Sequence, residues 1–213
     1  MEQALAVLAD VSYWALTLYL WIIIVAVLLS WVTPDPRNPL VRFLNRMSMP
    51  AINAMSGILP ARWRLFASYA ALLLVIFGID FVPGVFRTFA AFAGGRIDGA
   101  GLPAPLAGFF VYGVADVIYQ FCYFLIFVLV VWFVLTMVSP SVHNPIVRML
   151  YFLVDPIIAP IQRILPRMRV DLSPLIAAGV FLLINMFLVT RLMGYAVSLT
   201  IVGADPGQLF HRM

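Results

Sequence analysis

Long apolar runs, separated by short stretches rich in proline and arginine, dominate the chain. Two of these runs, 13–32 and 119–138, reach the roughly 20 residues that a membrane-spanning helix requires. Two further runs, 65–82 and 172–189, are slightly shorter. The pattern predicts an all-α integral membrane protein with four transmembrane helices.

The two halves of the chain repeat each other when the sequence is shifted by 106 residues. Residues 9–60 then align with 115–166 without a gap, and 18 of these 52 positions are identical. Because composition alone does not hold asparagine, arginine and four prolines in register, we infer a tandem duplication. The polar and proline residues kept in both copies include Asn38 and Asn144, Pro39 and Pro145, and Arg42 and Arg148.

Each predicted repeat contains two spans, so both copies have the same orientation and form parallel rather than inverted repeats. We expect the copies to superpose by rotation about an axis near the membrane normal, within one membrane domain. The predicted segments are the first repeat 1–93, a linker 94–108 rich in glycine and proline, and the second repeat 109–213.

A proline-rich stretch joins the two spans of each repeat, 34–60 in the first copy and 140–166 in the second. In the first copy, Asn38 is a good helix cap and Pro39 suits the first helical position. The apolar spacing predicts a proline-broken pair of short amphipathic interfacial helices in each copy, with Asp155 as a cap in the second. The pair either lies flat or re-enters the bilayer, and the cost of burying arginine favours the flat arrangement.

The charged residues predict how the chain is oriented in the membrane. All thirteen basic residues are arginines, and nine of them lie between the two spans of a repeat, in 33–64 and 139–171. This asymmetry predicts that both stretches face the cytoplasm and both termini lie outside. With 64% hydrophobic and 10% charged residues, the chain lacks the roughly one-quarter charge of a soluble domain. The dispersed arginines favour anionic lipid headgroups over nucleic acid as partners.

Carboxylates near the outer ends of the spans allow two interpretations. Asp10 and Asp116 are equivalent in the two repeats, and each caps a helix start or contributes to a two-carboxylate cation site. Asp80 is expected to reach water or to pair with Arg87. Inside span four, Asn185 is expected to hold helices together rather than to bind a substrate.

Nothing in the chain has the pattern of an enzyme active site. The sequence contains no Gly-rich phosphate loop, no nucleophile with a base and no metal-spaced cluster. The single cysteine, Cys122, lies in an apolar run and is expected to be a packing residue. Before span four, Asp171 is expected to cap the helix. We therefore predict a protein that is not an enzyme and that binds no cofactor or metal.

Several motifs carry a family resemblance. The run Ser30–Leu44 in the first copy, and Asn144-Pro145, Pro160–Pro166 and Val170–Pro174 in the second, are similar to the signature of the YggT (YlmG) family of membrane proteins. The resemblance covers nearly the whole chain in a two-copy form. The first copy departs from the family pattern at 65–68, where Leu-Phe-Ala-Ser replaces the preferred Asp-x-Ser-Pro.

The resemblance implies a location in the bacterial inner membrane and a role in membrane-linked assembly. Such roles include cell-division or envelope organisation, cofactor attachment to a partner protein, and osmotic-stress tolerance. We expect a non-enzymatic scaffold or assembly factor that contacts membrane lipids and a membrane protein, with homo-oligomers possible. The alternative is an oligomeric ion-permeation or osmotic-response protein. The candidate lipid-binding or partner-binding residues are Asn38, Pro39, Arg42, Arg46, Asn144, Pro145, Arg148, Asp155, Arg163 and Asp171.

Overall fold

The computed structural model describes residues 1–32, 35, 37–138, 145–164 and 171–201. This part of the chain is helical and contains no strand. Its α-helices are α1 Glu2–Val32, α2 Pro39–Ile58, α3 Ala67–Ala93, α4 Pro103–Val138, α5 Pro145–Ile164, α6 Ser173–Leu183 and α7 Thr190–Ile201. A 3₁₀ helix, Ala61–Phe66, precedes α3, and a π-helical segment, Ile184–Val189, joins α6 to α7.

Four helices in the described part of the chain are long and apolar enough to cross a membrane, which confirms the predicted fold class. The shortest of them has 27 residues and the longest has 35. At a rise of about 1.5 Å per residue, even the shortest is about 40 Å long and exceeds the hydrocarbon layer of about 30 Å. The four segments are Glu2–Leu29, Ala67–Ala93, Pro103–Met137 and Ser173–Ile201.

These spans are longer than the apolar runs from which we predicted them. The first begins at Glu2 rather than at Tyr13, because a helix continues through the charged Asp10. The third begins at Pro103, so the predicted linker 94–108 is helical over its second part. The glycines of the linker still end α3, since Gly95 adopts a left-handed backbone with φ of 69°.

The predicted proline break within each repeat is wrong. The helix α2 continues through Pro50, and α5 continues through both Pro156 and Pro160. A proline inside a helix removes one backbone hydrogen bond. In α2, side chains on both sides of Pro50 pack against neighbouring helices, and this packing compensates for the missing bond. Asp155 therefore lies inside α5 and does not cap a second helix.

The described chain divides into two compact units, 1–117 with 193–201, and 118–192. The core of the first unit is built from α1, α2 and α3. Ile23, Val27 and Val75 are buried at its centre, and Ala51 of α2 packs against them.

Close helix contacts through glycine also shape the first unit. A Cβ atom added at Gly84 of α3 would overlap the ring of Phe109 on α4. A Cβ at Gly108 of α4 would lie 2.8 Å from the backbone oxygen of Ala196 on α7. Small residues allow such close approach of helices within a membrane, where packing provides much of the attraction.

The second unit has its own core, formed where α4, α5 and α6 pack together. Leu129 of α4 and Val154 of α5 are almost completely buried. Ala177 and Ala178 of α6 complete the cluster with Ile158. Each unit thus packs an amphipathic helix, α2 or α5, against membrane-spanning helices.

Candidate functional site

The amphipathic helix α2 begins at the Asn38-Pro39 motif. The side chain of Asn38 accepts a hydrogen bond of 2.9 Å from the backbone N–H of Leu40, so it caps the helix. Pro39 is the first helical residue, where its missing N–H costs no intrahelical bond. The sequence thus sets both the start of α2 and the faces that its side chains occupy.

The two faces of α2 differ sharply in environment. Val41, Leu44 and Ser48 are buried along one face. Arg42 and Arg46 are exposed, and neither forms an ion pair with another residue in the described ranges. No acidic residue occurs between Pro39 and Ile58, so the exposed charge of α2 is entirely positive. The guanidinium groups of Arg42 and Arg46 are therefore accessible on the surface of the helix.

The corresponding helix of the second repeat is described in part. Pro145 is the first residue of α5. Its predicted cap, Asn144, and the side chain of Arg148 lie outside the described part of the structure. Arg163 is exposed in the last turn of α5, and Asp155 is exposed within the helix.

Asp171 connects α5 to the fourth span. Its carboxylate accepts a hydrogen bond of 2.9 Å from the backbone N–H of Ser173 and one of 2.6 Å from the side-chain amide of Gln162. Partial burial raises the pKa of Asp171, but the hydrogen bonds from Ser173 and Gln162 together outweigh this effect and lower it. The ionised carboxylate is the form that holds the end of α5 beside the start of α6.

The predicted caps at Asp10 and Asp116 are wrong, because the helices start well before them. Both residues lie inside helices, since α1 begins at Glu2 and α4 begins at Pro103. Asp10 instead forms an ion pair with Arg87 of α3, with 3.5 Å between the guanidinium and carboxylate. A second ion pair of 2.6 Å joins Glu2 to Arg96, beyond the end of α3.

Asp80 pairs with Asp116 and not, as predicted, with Arg87. The carboxyl groups of Asp80 on α3 and Asp116 on α4 face each other at close range. The second oxygen of Asp80 is buried and has no hydrogen-bond partner among the described residues, so it does not reach water. Asp116 therefore lies beside Asp80, and Asp10 pairs with Arg87, so the two-carboxylate site predicted between Asp10 and Asp116 is not formed.

Asn185 makes a contact between helices of the second unit. Its side-chain amide donates a hydrogen bond of 3.3 Å to the backbone oxygen of Tyr119 on α4. Asn185 lies in the π-helical segment, where the hydroxyl of Thr190 donates a bond of 2.9 Å to the backbone oxygen of Asn185. Neither the π-helical turn nor the Asp80–Asp116 pair has a signal in the apolar pattern, so sequence reasoning missed both.

The four apolar spans and the two amphipathic helices define a multi-pass α-helical membrane protein. The CCB3/YggT family model matches residues 5–90 and 111–192, which together cover most of the chain and fall in the two repeats. The chain belongs to the CCB3/YggT family, and the two matched regions confirm the two-copy form.

Two bacterial relatives match this chain over most of their own length. The chain is 26% identical over 177 residues to the uncharacterized protein PA0392 of Pseudomonas aeruginosa, covering 83% of this chain and 85% of that protein. It is also 26% identical over 172 residues to the uncharacterized protein YggT of Escherichia coli K12, covering 79% and 82%. No solved structure matches the chain significantly.

Proposed function

We propose that the protein is a non-enzymatic membrane scaffold or assembly factor that acts through the amphipathic helices of its two repeats. The observation that carries the proposal is the exposed, purely cationic face of α2. Arg42 and Arg46 have no ion-pair partner in the described part of the chain, whereas the opposite face is packed. Anionic lipid headgroups, together with a membrane protein, are the partners that such a face accommodates.

The proposed location is the bacterial inner membrane, with α2 and α5 on the cytoplasmic side. The asymmetry of the arginines supports this orientation. Single cysteines at Gln3 and Arg62, introduced after replacing Cys122, test it by labelling in intact cells. We expect an impermeant reagent to label Gln3→Cys and to spare Arg62→Cys, and the reverse pattern would overturn the orientation.

A photo-crosslinking amino acid at Asn45, which is exposed on α2, tests the scaffold role in native membranes. We expect it to capture a defined membrane protein, and we expect the capture to be lost in the Arg42→Ala, Arg46→Ala variant. Arg191→Ala is a matched control, because Arg191 is also exposed but lies on α7. Equal capture in all variants, or no defined protein in any of them, would reject the scaffold role.

Ion permeation by an oligomer is the second candidate function, and the Asp80–Asp116 pair favours it. Ionisable residues within membrane spans often mark ion or proton pathways. Flux of protons or monovalent cations into liposomes containing the purified protein tests this function. We expect Asp80→Asn to abolish such a flux if the pair conducts, and an absence of flux in the unmodified protein would exclude the role.

A further inference from the structure

A cleft of about 440 Å³ lies between α1, α2 and α3 in the first unit. This volume falls in the range of about 300–1,000 Å³ that is typical of small-molecule sites. Apart from the hydroxyl of Tyr19, its walls are hydrocarbon. Among the lining residues are Leu16 and Tyr19 of α1, Pro50 and Ala51 of α2, and Gly78 and Phe81 of α3.

The cleft extends from α2 along the two membrane-spanning helices beside it. On α3 its lining residues run from Leu74 to Val82, and Val75 shares a core with Ala51 of α2. The eight helical steps from Leu74 to Val82 correspond to about 12 Å, which is most of the depth of one leaflet of about 15 Å. An occupant of the cleft therefore has its apolar part between α1 and α3 and its other end at α2.

Two arginines of α2 precede Pro50, the residue at which that helix begins to line the cleft. Arg46 lies one helical turn before Pro50, on the same side of α2, and Arg42 lies one turn earlier still. Both arginines are exposed, and neither pairs with a carboxylate in the described ranges. A hydrocarbon-lined cleft with Arg46 one helical turn from its lining residue Pro50 is complementary to an anionic amphiphile.

We propose that this cleft is a binding site for one anionic phospholipid, with an acyl chain between α1 and α3 and its phosphate beside Arg46. The proposal rests on the lipid contact suggested for α2 and gives it a defined site. A guanidinium group binds phosphate through two parallel hydrogen bonds, which gives Arg46 a geometric as well as an electrostatic preference. The bound lipid would fill space that the side chains of the first unit leave open.

Gly78 offers a way to fill the cleft without disturbing the helices. A Cβ atom there meets only Leu16, at 3.8 Å, which is an ordinary contact. Gly78→Leu thus places its side chain in the cleft and also favours the helix. Gly179→Leu is a matched control, because a Cβ at Gly179 of α6 meets nothing within 4 Å.

The experiment is native mass spectrometry of the protein released from nanodiscs that contain phosphatidylcholine and phosphatidylglycerol. We expect one phosphatidylglycerol to be retained by the unmodified protein and by Gly179→Leu. In Gly78→Leu its retention should fall at least tenfold. In Arg46→Ala it should fall about fivefold, as expected for the loss of one charge near the lipid surface, while Arg191→Ala retains the lipid.

Other outcomes separate this site from the proposed scaffold role. Equal retention in Gly78→Leu and Gly179→Leu would overturn the cleft site, even if Arg46→Ala still weakens lipid contact and partner capture persists. Retention of phosphatidylcholine and phosphatidylglycerol alike would overturn the anionic specificity. The proposal would also be overturned if a dimer without bound lipid were detected in place of the lipid-bound protein. Loss of such a dimer in Gly78→Leu would identify a second copy of the chain as the occupant of the cleft.

A second variant keeps the test valid if Gly78→Leu inserts poorly. Leu74 lines the cleft and is 43% exposed, so Leu74→Trp adds volume at its edge without entering a packed core. We expect it to reduce phosphatidylglycerol retention as Gly78→Leu does, and unchanged retention would overturn the site. Failure of partner capture with lipid retention intact would instead reject only the scaffold role.

Discussion

In the first repeat, a 3₁₀ helix leads into α3, whereas in the second repeat the carboxylate of Asp171 links the last turn of α5 to the start of α6. No side chain caps the start of α3, but the carboxylate of Asp171 accepts hydrogen bonds from Gln162 and Ser173 at the start of α6. The difference follows from the sequence at 65–68, where the first copy lacks the Asp-x-Ser-Pro pattern. The start of the second membrane-spanning helix is thus held differently in the two repeats.

The spans of the two repeats differ in polar chemistry as well. The gap-free alignment of the two repeats ends at Pro60 and Pro166, before Asp80 and Arg87. The partners of Asp10 and Asp116 both come from α3 of the first repeat, as Arg87 and Asp80 respectively. The duplication preserved the amphipathic helices and their Asn-Pro starts, and the polar contacts within the membrane diverged.

The close packing of the first unit predicts the largest effect of a single substitution. In Gly84→Ala the new Cβ overlaps the ring of Phe109, so we expect a loss of about 1–3 kcal/mol in the free energy of unfolding. Thermal unfolding in detergent micelles measures it. Gly179→Ala, which has open space, should be neutral or stabilising, and equal effects of the two substitutions would contradict the packing.

The shared Asn-Pro start predicts equal effects in both repeats. Asn38→Ala removes the cap of α2 and should cost about 1 kcal/mol. Asn144→Ala should cost a similar amount, because the duplication places it at the same point of the second repeat. Thermal unfolding with Asn53→Ala, an exposed residue within α2, provides the control. A cost at only one of the two asparagines would show that the motif has diverged.

The Asp10–Arg87 ion pair tests the divergence of the spans. Arg87→Met removes the positive charge of the pair, and Asp10→Asn removes the negative charge. A double-mutant cycle should give a coupling of about 0.6 kcal/mol, up to about 1.7, as found for polar contacts between membrane helices. Additive effects of the two substitutions would mean that the pair contributes nothing.

The smallest expected effect is the pH dependence of the hydrogen bonds that the Asp171 carboxylate accepts. The folded state lowers the pKa of Asp171, so its stabilisation is complete above the ordinary aspartate pKa of about 3.9 and is lost as the pH falls through the folded value. Asp171→Ala should therefore reduce stability at pH 7 by less than about 1 kcal/mol, because the carboxylate is only partly buried and water screens its interactions. The difference from the unmodified protein should shrink below about pH 4. A difference that grows in acid would contradict this sign.

The sequence predicted the features that depend on local pattern. Apolar length identified the four spans, and the preferences of asparagine and proline located the start of α2. A helix-to-helix contact of Asn185 was expected, but its partner Tyr119 and the partner of Asp80 were not predicted, because periodicity does not reveal which helices lie side by side. The continuity of α2 through Pro50 was also missed, since local propensity favours a break and packing overrides it.

The repeat-equivalent arginines Arg42 and Arg148 test the central claim most directly. Arg42→Ala, Arg148→Ala and the double variant should insert normally, because the helices and their caps remain. We predict that the double variant, compared with Arg191→Ala at equal membrane levels, loses the partner protein captured by crosslinking in native membranes. If capture of that partner is unchanged in the double variant, the amphipathic helices are not its binding surface, and the account is contradicted.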